Sequence, residues 1–123
     1  QKVLSTDEIM KLRSLVRRVY VDEKIEQYII DIIFATRQVD SIGLNELSGL
    51  ITFGASPRGS INLALAAKAY AFLQGRSFVV PDDVRAISVD ALQHRIGISY
   101  EAEAIGMSPK NIIEKIVSFI EVP

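Results

Sequence analysis

The sequence predicts a mainly α-helical fold: a helical bundle of about five helices, with room for one very short two-stranded β ladder. Apolar residues recur at helical spacing in five separate segments. A serine, aspartate or proline stands at the start of each segment, as is typical of helix N-termini. Apolar residues make up 49% of the 123 residues, which is enough for one core. Residues 1–123 are therefore predicted to form a single domain.

The first helix is predicted over residues 6–18. Ser5 and Glu8 fit a capping box, in which the serine hydroxyl accepts a hydrogen bond from the backbone three residues on and the glutamate reaches back. Apolar residues then follow at helical spacing: Ile9, Leu12, Val16 and Val19. This spacing is typical of a helix.

The second helix carries the clearest apolar stripe in the chain. Asp22 is a candidate N-cap, with acidic residues favoured at that end by the helix dipole. The stripe has six members: Ile25, Tyr28, Ile29, Ile32, Ile33 and Thr36. Ile30 and Phe34 widen it, which predicts burial on more than one side.

Residues 39–55 interrupt the helical pattern and predict a long connection with one short turn of helix. The next helix is predicted to run to Gln74. Ser56 would be its N-cap, Pro57 its first helical residue and Gly75 its stop signal. We expect this helix to be central and to have two apolar faces. One is formed mainly by large residues: Ile61, Ala64, Leu65, Ala69, Phe72 and Leu73. The other is lined by Ala66, Ala67 and Ala71, which permit close approach.

Two short extended segments, residues 78–80 and 98–100, are candidates for the β ladder. Pro81 opens a helix between them, with two aspartates in its first turn. Residues 101–107 give no clear signal. A last amphipathic helix follows the Ser108–Pro109 pair and ends before the final proline.

Composition excludes several classes of function. Fourteen basic residues against fifteen acidic ones give a net charge of −1, so no overall positive field favours nucleic acid. The chain has no cysteine and a single histidine, His94, and we expect no metal site. No apolar run approaches the ~20 residues of a membrane span, and the first residues have no signal-peptide pattern. We therefore expect a cytoplasmic protein; because the chain does not begin with methionine, we interpret it as part of a longer one.

Two segments resemble parts of nucleotide-binding sites, but neither has the residues that such a site needs. Residues 54–60 have the glycine spacing of a phosphate loop but lack its lysine, and Pro57 removes an N–H group that would have to hold phosphate. Asp31 follows a short apolar run, yet it lies within the strongest helical stripe, where a solvated aspartate is the simpler interpretation. The paired carboxylates all fall at helix starts, which favours capping over acid–base catalysis.

Arg58 is the strongest candidate for a functional residue. It falls in the first turn of a helix, where unpaired N–H groups and the dipole attract anions. Its planar guanidinium suits phosphate oxygens, and Gly59 would leave room for a ligand. A cation opposes the dipole at this position, which marks it as a place to suspect function. The alternative is an arginine paired with a nearby carboxylate.

Residues 54–58 (Gly-Ala-Ser-Pro-Arg) resemble the sensor 2 motif of the MoxR family of AAA+ ATPases. Three more segments resemble the same family: residues 35–37 (ATR), residues 75–84 (GRSFVVPDDV, similar to GRDYVxPxDV) and residues 94–96 (HRI). The departures within the second of these are mild, although Val80 has no hydroxyl and should cap the next helix weakly. Several spaced motifs together are far more specific than any one of them.

The resemblance implies a C-terminal helical lid that follows an α/β ATPase core. Arg58 would contact ATP phosphates, in its own subunit or a neighbouring one, with Ser56, Pro57 and Gly59 shaping the binding site. ATP would be the cofactor of the full-length parent, an ATP hydrolase, with Mg²⁺ held by the upstream core. The lid alone would not hydrolyse ATP, and we expect no cofactor on it in isolation.

The resemblance also implies partners and a role. The partners would be the chain's own ATPase domain, neighbouring subunits of a homo-oligomeric ring, and a protein with a von Willebrand type A domain. The lid would couple ATP hydrolysis to domain movement in chaperone-like maturation of partner proteins.

Two other classes stay open. One is an all-α interaction or DNA-binding module, supported by Arg13, Arg17 and Arg18 but weakened by the net charge of −1. The other is the lid of a chelatase-type ATPase. For the remaining basic residues we favour local roles: Arg37 capping its own helix, and Arg76 and the His94–Arg95 pair near helix C-termini.

Overall fold

The computed structural model describes residues 5–123, and it confirms the mainly α-helical prediction. Its elements follow in this order: α1 (Thr6–Arg17), α2 (Glu23–Arg37), a 3₁₀ turn (Asn45–Leu47), β1 (Ile51–Phe53), α3 (Arg58–Leu73), α4 (Pro81–Leu92), β2 (Gly97–Ile98), α5 (Tyr100–Ala104) and α6 (Pro109–Phe119). The described residues form six helices rather than five, because the segment without a clear signal contains the short α5. The signal-peptide assessment concerned residues 1–4 and lies outside the described residues.

Helix α2 lies at the centre of the core. Every member of its predicted stripe is buried, and the stripe packs against α3, α4 and α6. Ile30 and Phe34, by contrast, are 50% and 51% exposed, so the prediction that they too are buried was wrong. The apolar positions of a helix can outnumber those that its neighbours cover, and these two are left on the surface beside α3.

Helices α3 and α4 form an antiparallel pair with a seam of small residues. The buried positions of α3 recur every four residues: Gly59, Leu63, Ala67 and Ala71. The large residues of the first predicted face are mostly exposed: Ile61, Leu65 and Leu73. Ala67 and Ala71 of the second predicted face are buried, as the predicted close approach requires, because the distance between helix axes depends on the side chains at the contact.

The two strands that form the sheet are not the two segments that were predicted to pair. β1 pairs antiparallel with β2, with Ile51 opposite Ile98, so the predicted pairing of residues 78–80 with 98–100 was wrong. The earlier segment is already engaged elsewhere. The Tyr20 N–H donates to the Ser77 carbonyl, and the Val79 N–H donates to the Tyr20 carbonyl, both at 2.9 Å.

A signal for β1 is present in the sequence. Ile51, Thr52 and Phe53 are all residues that favour strands, and they lie between Gly49 and Gly54. The rest of the connection is anchored by leucines, since Leu44, Leu47 and Leu50 are buried. The predicted short helical turn in this connection is confirmed by the 3₁₀ turn.

The predicted serine caps at both ends of the chain are confirmed. Ser5 and Glu8 form the capping box of α1, with the Glu8 N–H donating to the Ser5 hydroxyl at 3.2 Å. Ser108 and Asn111 form the equivalent arrangement at α6. Asp22 takes the N-cap position of α2 without a side-chain cap bond.

A buried ion pair joins the end of α3 to the start of α4. The Arg76 guanidinium contacts the Asp83 carboxylate, whose side chain is 1% exposed. The other oxygen of that carboxylate accepts from the Val80 N–H at 2.8 Å. Asp83 thereby supplies one half of a capping box, in which the N3 side chain accepts from the N-cap N–H; the other half would need a hydroxyl at Val80. The predicted local role of Arg76 is confirmed.

Helix α1 is attached to the outside of this core. None of its residues is buried, and its main packing partner is α3. The Lys68 ammonium group donates to the Arg17 carbonyl at 3.3 Å. Within residues 5–123, no helix has both the length and the apolar content needed to span a bilayer.

We expect Asp83→Ala to lower the free energy of unfolding by about 2–4 kcal/mol, because it removes the cap bond and leaves the Arg76 guanidinium without its partner. Urea denaturation followed by circular dichroism measures the change. Asp82→Ala is the matched control at the neighbouring exposed position and should cost less than about 1 kcal/mol. Equal losses in the two variants would contradict the assignment of the ion pair.

Tyr28 gives the fold a predicted alkaline limit. Its side chain is 2% exposed, and its hydroxyl has no hydrogen-bond partner among the described residues. Burial raises the pKa of the Tyr28 phenol, a nearby Arg85 opposes the rise and Asp82 adds to it. The unfolded chain therefore releases this proton first, and the free energy of unfolding falls as the pH rises above about 10.

Tyr28→Phe should remove that component of the alkaline loss, with little change near neutral pH. The measurement is denaturant unfolding at neutral pH and above pH ~10. Tyr100→Phe, at a position that is 90% exposed, should keep the wild-type alkaline loss. An unchanged pH profile in Tyr28→Phe would count against burial of the phenol.

Candidate functional site

The candidate site begins where the chain leaves β1 and approaches the end of α2. At Gly54 the backbone lies directly on α2: a Cβ there would be 2.5 Å from the Thr36 carbonyl oxygen and 2.6 Å from the Arg37 Cγ atom. Only glycine fits so close an approach. The connection is therefore held against the last turn of α2.

A buried hydroxyl fixes the next residue. The Ala55 N–H donates to the Thr36 Oγ1 atom at 2.9 Å, and that hydroxyl donates in turn to the Ile33 carbonyl at 2.6 Å. Ala55 and Thr36 are both buried. Thr36 was predicted only as a member of the apolar stripe, and its hydrogen bond to the Ala55 backbone was not predicted. A polar threonine within a run of isoleucines is the sequence signal that points to such a bond.

The start of α3 follows at once. Pro57 has helical dihedral angles, φ −54° and ψ −26°, but it takes the N-cap position, and Arg58 is the first residue of α3; the predicted start, with Ser56 as N-cap, was one residue too early. The Gly59 N–H donates to the Ser56 carbonyl at 2.7 Å. No side-chain hydrogen bond from Ser56 occurs within the described residues, so the predicted hydroxyl cap is not formed. The tight backbone turn satisfies one of the donors that this cap would have satisfied.

Gly59 packs against neighbouring helices, which differs from its predicted role beside a ligand. A Cβ there would be 3.2 Å from the Ile33 Cδ1 atom and 3.3 Å from the Ala55 Cβ atom, with Leu92 just beyond. The residue is buried and faces α2 and α4. Its small size thus allows helix packing; the expectation that it leaves room for a ligand was wrong.

Arg58 projects into solvent at this helix start. Among residues 5–123 the ion pairs are Arg76–Asp83 and Lys115–Glu46, so the alternative of an internal carboxylate partner for Arg58 does not hold there. In the same part of the chain, the backbone N–H groups of Ser56 and Arg58 donate to no protein acceptor. A guanidinium and two free N–H groups at the positive end of a helix form a site for an anion.

A groove of about 460 Å³ opens beside this helix start, between α2 and α3. It has apolar and polar walls: Ile30, Ile33, Phe34, Arg37, Gln38, Pro57 and Ser60. Arg37 is exposed at its edge, and its guanidinium makes no hydrogen bond within the described residues. The predicted capping of its own helix is therefore not formed. Arg37 is a second cation beside the groove.

His94 and Arg95 lie just beyond α4, at the end of that helix that packs against the start of α3. Leu92 contacts the Gly59 position, which places both residues at the same end of the helix pair as Arg58. Both are exposed. Their position near a helix C-terminus is as predicted, and their role stays a prediction.

The polar groups gathered here are suited to negative charge. Arg58, Arg37 and the free N–H groups are donors, and no carboxylate or histidine is among the residues that line the groove. Donors of this kind can bind and orient an anion.

Comparisons with known proteins show the family to which the chain belongs. The family model described as "AAA lid domain" matches residues 47–116. Chaperone MoxR1 of Mycobacterium tuberculosis is 32% identical over the whole chain, and Protein MoxR of Paracoccus denitrificans is 37% identical over 105 residues, 80% of the chain. The chain spans 33% and 31% of these two proteins.

A solved structure, described as that of a "putative ATPase" from Cytophaga hutchinsonii, superposes on the whole chain with a TM-score of 0.93 and 40% sequence identity. The chain covers 37% of that protein. It thus corresponds to about a third of the length of the proteins that it matches.

We expect Thr36→Val to lower the free energy of unfolding by about 1–3 kcal/mol, because the buried Ala55 N–H would lose its acceptor. Thermal and urea unfolding measure the loss. Ser56→Ala is the control, since its hydroxyl makes no hydrogen bond within the described residues, and it should cost less than about 0.5 kcal/mol. A larger loss for Ser56→Ala than for Thr36→Val would contradict this account of the helix start.

Proposed function

Because the chain belongs to the AAA lid domain family, we propose that it is the C-terminal lid of a MoxR-type ATPase and that Arg58 is its sensor 2 arginine. The lid would contact the phosphates of ATP through Arg58 and the N–H groups around it. ATP would be bound and hydrolysed by the full-length protein, whose core would hold the nucleotide and Mg²⁺.

The exposed, unpaired guanidinium of Arg58 at the start of α3 is the observation that carries this proposal. A cation here opposes the helix dipole, so it gains nothing from its own helix. The negative charge of a bound phosphate would interact favourably with the positive end of the helix dipole and with the guanidinium. Two parallel N–H···O bonds from a guanidinium to phosphate are shorter and stronger than neutral hydrogen bonds.

The attachment of Arg58 to the fold supports a coupling role. The residues before it are held on α2 by the Thr36 hydroxyl and the close approach at Gly54, and α3 itself is packed against α4. A shift of the Arg58 backbone would therefore move the packed helices of the lid with it, and not only a loop. The lid position would change with nucleotide state because Arg58 would contact the γ-phosphate before hydrolysis and lose that contact afterwards.

The wider proposal concerns the assembly. AAA+ ATPases of this kind are expected to form homo-oligomeric rings, and Arg58 would act on the nucleotide of its own subunit or of its neighbour. We propose chaperone-like maturation of partner proteins as the role of the parent protein, with a von Willebrand type A domain protein as a partner. We assign it to the cytoplasm, where ATP is supplied.

The test is Arg58→Ala in the full-length ATPase. We expect ATP turnover to fall by at least about tenfold, because charge on the transferring phosphoryl group would be stabilised less. Arg58→Lys keeps the charge but loses the planar pair of donors, so its activity should lie between those of the wild type and Arg58→Ala. Steady-state turnover and nucleotide affinity are measured on the same preparations.

Arg85→Ala is the matched control, since Arg85 is an exposed arginine on α4. It should change turnover by less than about twofold. If Arg58→Ala leaves both ATP turnover and nucleotide affinity at the wild-type level, the sensor 2 assignment fails.

A further inference from the structure

A second groove, between α1 and α3, is unrelated to the Arg58 site. It encloses about 380 Å³ and has seven lining residues: Ile9, Leu12, Arg13, Val16, Arg17, Leu65 and Ala69. We propose that this α1–α3 groove binds an acidic amphipathic helix of a partner protein. The proposal does not depend on the nucleotide contact of Arg58.

The floor of the α1–α3 groove is apolar and open. Ile9, Leu12 and Leu65 are 45%, 37% and 40% exposed. α1 buries none of its residues, although a complete capping box begins it. Helices in proteins owe most of their stability to packing of an apolar face, and a contiguous exposed apolar patch marks an interaction site. A ligand that covers this floor would supply the missing burial.

The charge around the groove selects the sign of the ligand. Two of the groove's seven lining residues are charged, Arg13 and Arg17, and both are basic. The acidic residues of α1 lie in its first turn, where Glu8 closes the capping box, and neither lines the groove. The lining of the groove is therefore positive.

Arg13 and Arg17 hold that positive charge at the groove itself. They are four residues apart on α1, so they are neighbours on its surface, and like charges at this spacing repel each other. Neither makes an ion pair within residues 5–123. Carboxylates on a bound ligand would relieve the repulsion and form charge-assisted hydrogen bonds.

The shape of the groove favours a helix over a nucleic acid or a membrane. Ile9 and Val16 share the groove with Leu65 and Ala69 of the facing helix, so the apolar surface is recessed between two helices. Recessed apolar grooves receive the apolar face of an amphipathic helix. A bilayer needs a protruding apolar face, and nucleic-acid binding rests mainly on phosphate contacts, which exposed leucine and isoleucine do not make.

The experiment uses designed helical peptides of roughly 15 residues, labelled with a fluorophore. One has leucines at i, i+3, i+4 and i+7 flanked by glutamates; a second replaces the glutamates by lysines; a third has the acidic composition in a scrambled order. Fluorescence anisotropy with the full-length protein that contains this chain should give binding of the acidic amphipathic peptide at least about tenfold tighter than that of the other two.

Variants locate the binding on the chain. Arg13→Glu with Arg17→Glu should weaken binding of the acidic peptide by at least about tenfold and increase binding of the basic one. Leu65→Ser should weaken binding of the acidic peptide about fivefold or more. The control reverses two exposed lysines on other helices, Lys24→Glu with Lys110→Glu, and should change binding less than twofold. Circular dichroism checks that each variant is folded.

Three results would overturn the proposal. The first is equal binding of the acidic, basic and scrambled peptides, or no binding of the acidic one. The second is that a DNA duplex or phosphatidylglycerol vesicles, and not the acidic peptide, bind in a way that is lost in the double arginine variant. The third is concentration-dependent self-association in analytical ultracentrifugation that the double arginine variant abolishes, which would identify a second copy of the chain as the occupant.

Discussion

The position of Arg58 depends on one buried hydroxyl. Thr36 receives the Ala55 N–H and donates to its own helix, and it does so inside the most deeply buried helix of the domain. The start of α3 is therefore tied to the part of the fold that is hardest to deform. An arginine on an unsupported loop would have to lose backbone freedom as well as side-chain freedom when it binds a ligand. The backbone at Arg58 is already fixed by the fold, so only the rotations of its side chain remain to be restricted.

Sequence patterns predicted best the helix in which large residues repeat along one stripe. The six-residue stripe of α2 was predicted correctly for this reason, although Ile30 and Phe34 beside it are exposed. In α3, apolar residues cover most of the surface, and periodicity alone could not say which of the two predicted faces is internal. Leu65 and Ala67 are both apolar, and the smaller one is internal. The strand partner of β2 was missed because pairing is non-local.

In the candidate site, too, some features follow from local sequence and others depend on residues far along the chain. The dipole and the unpaired donors at a helix start are local properties, so Arg58 could be singled out from its immediate neighbours. Whether a carboxylate elsewhere in the chain pairs with it could not be decided in this way. The conformation of Ser56 and the packing of Gly59 depend on the angle at which the chain enters α3. Residues on α2, about twenty positions earlier, fix that angle, and local rules for caps contain no such information.

The seam of small residues between α3 and α4 has a mechanical consequence. Helices α3 and α4 are packed closely along their length, and the small residues Gly59, Ala67 and Ala71 are buried on α3. The Arg76–Asp83 pair joins the two helices at the end far from Arg58. Close-packed interiors transmit strain because they compress little. The two helices are therefore expected to move as one stiff unit, with Arg58 at one end and the turn between them at the other.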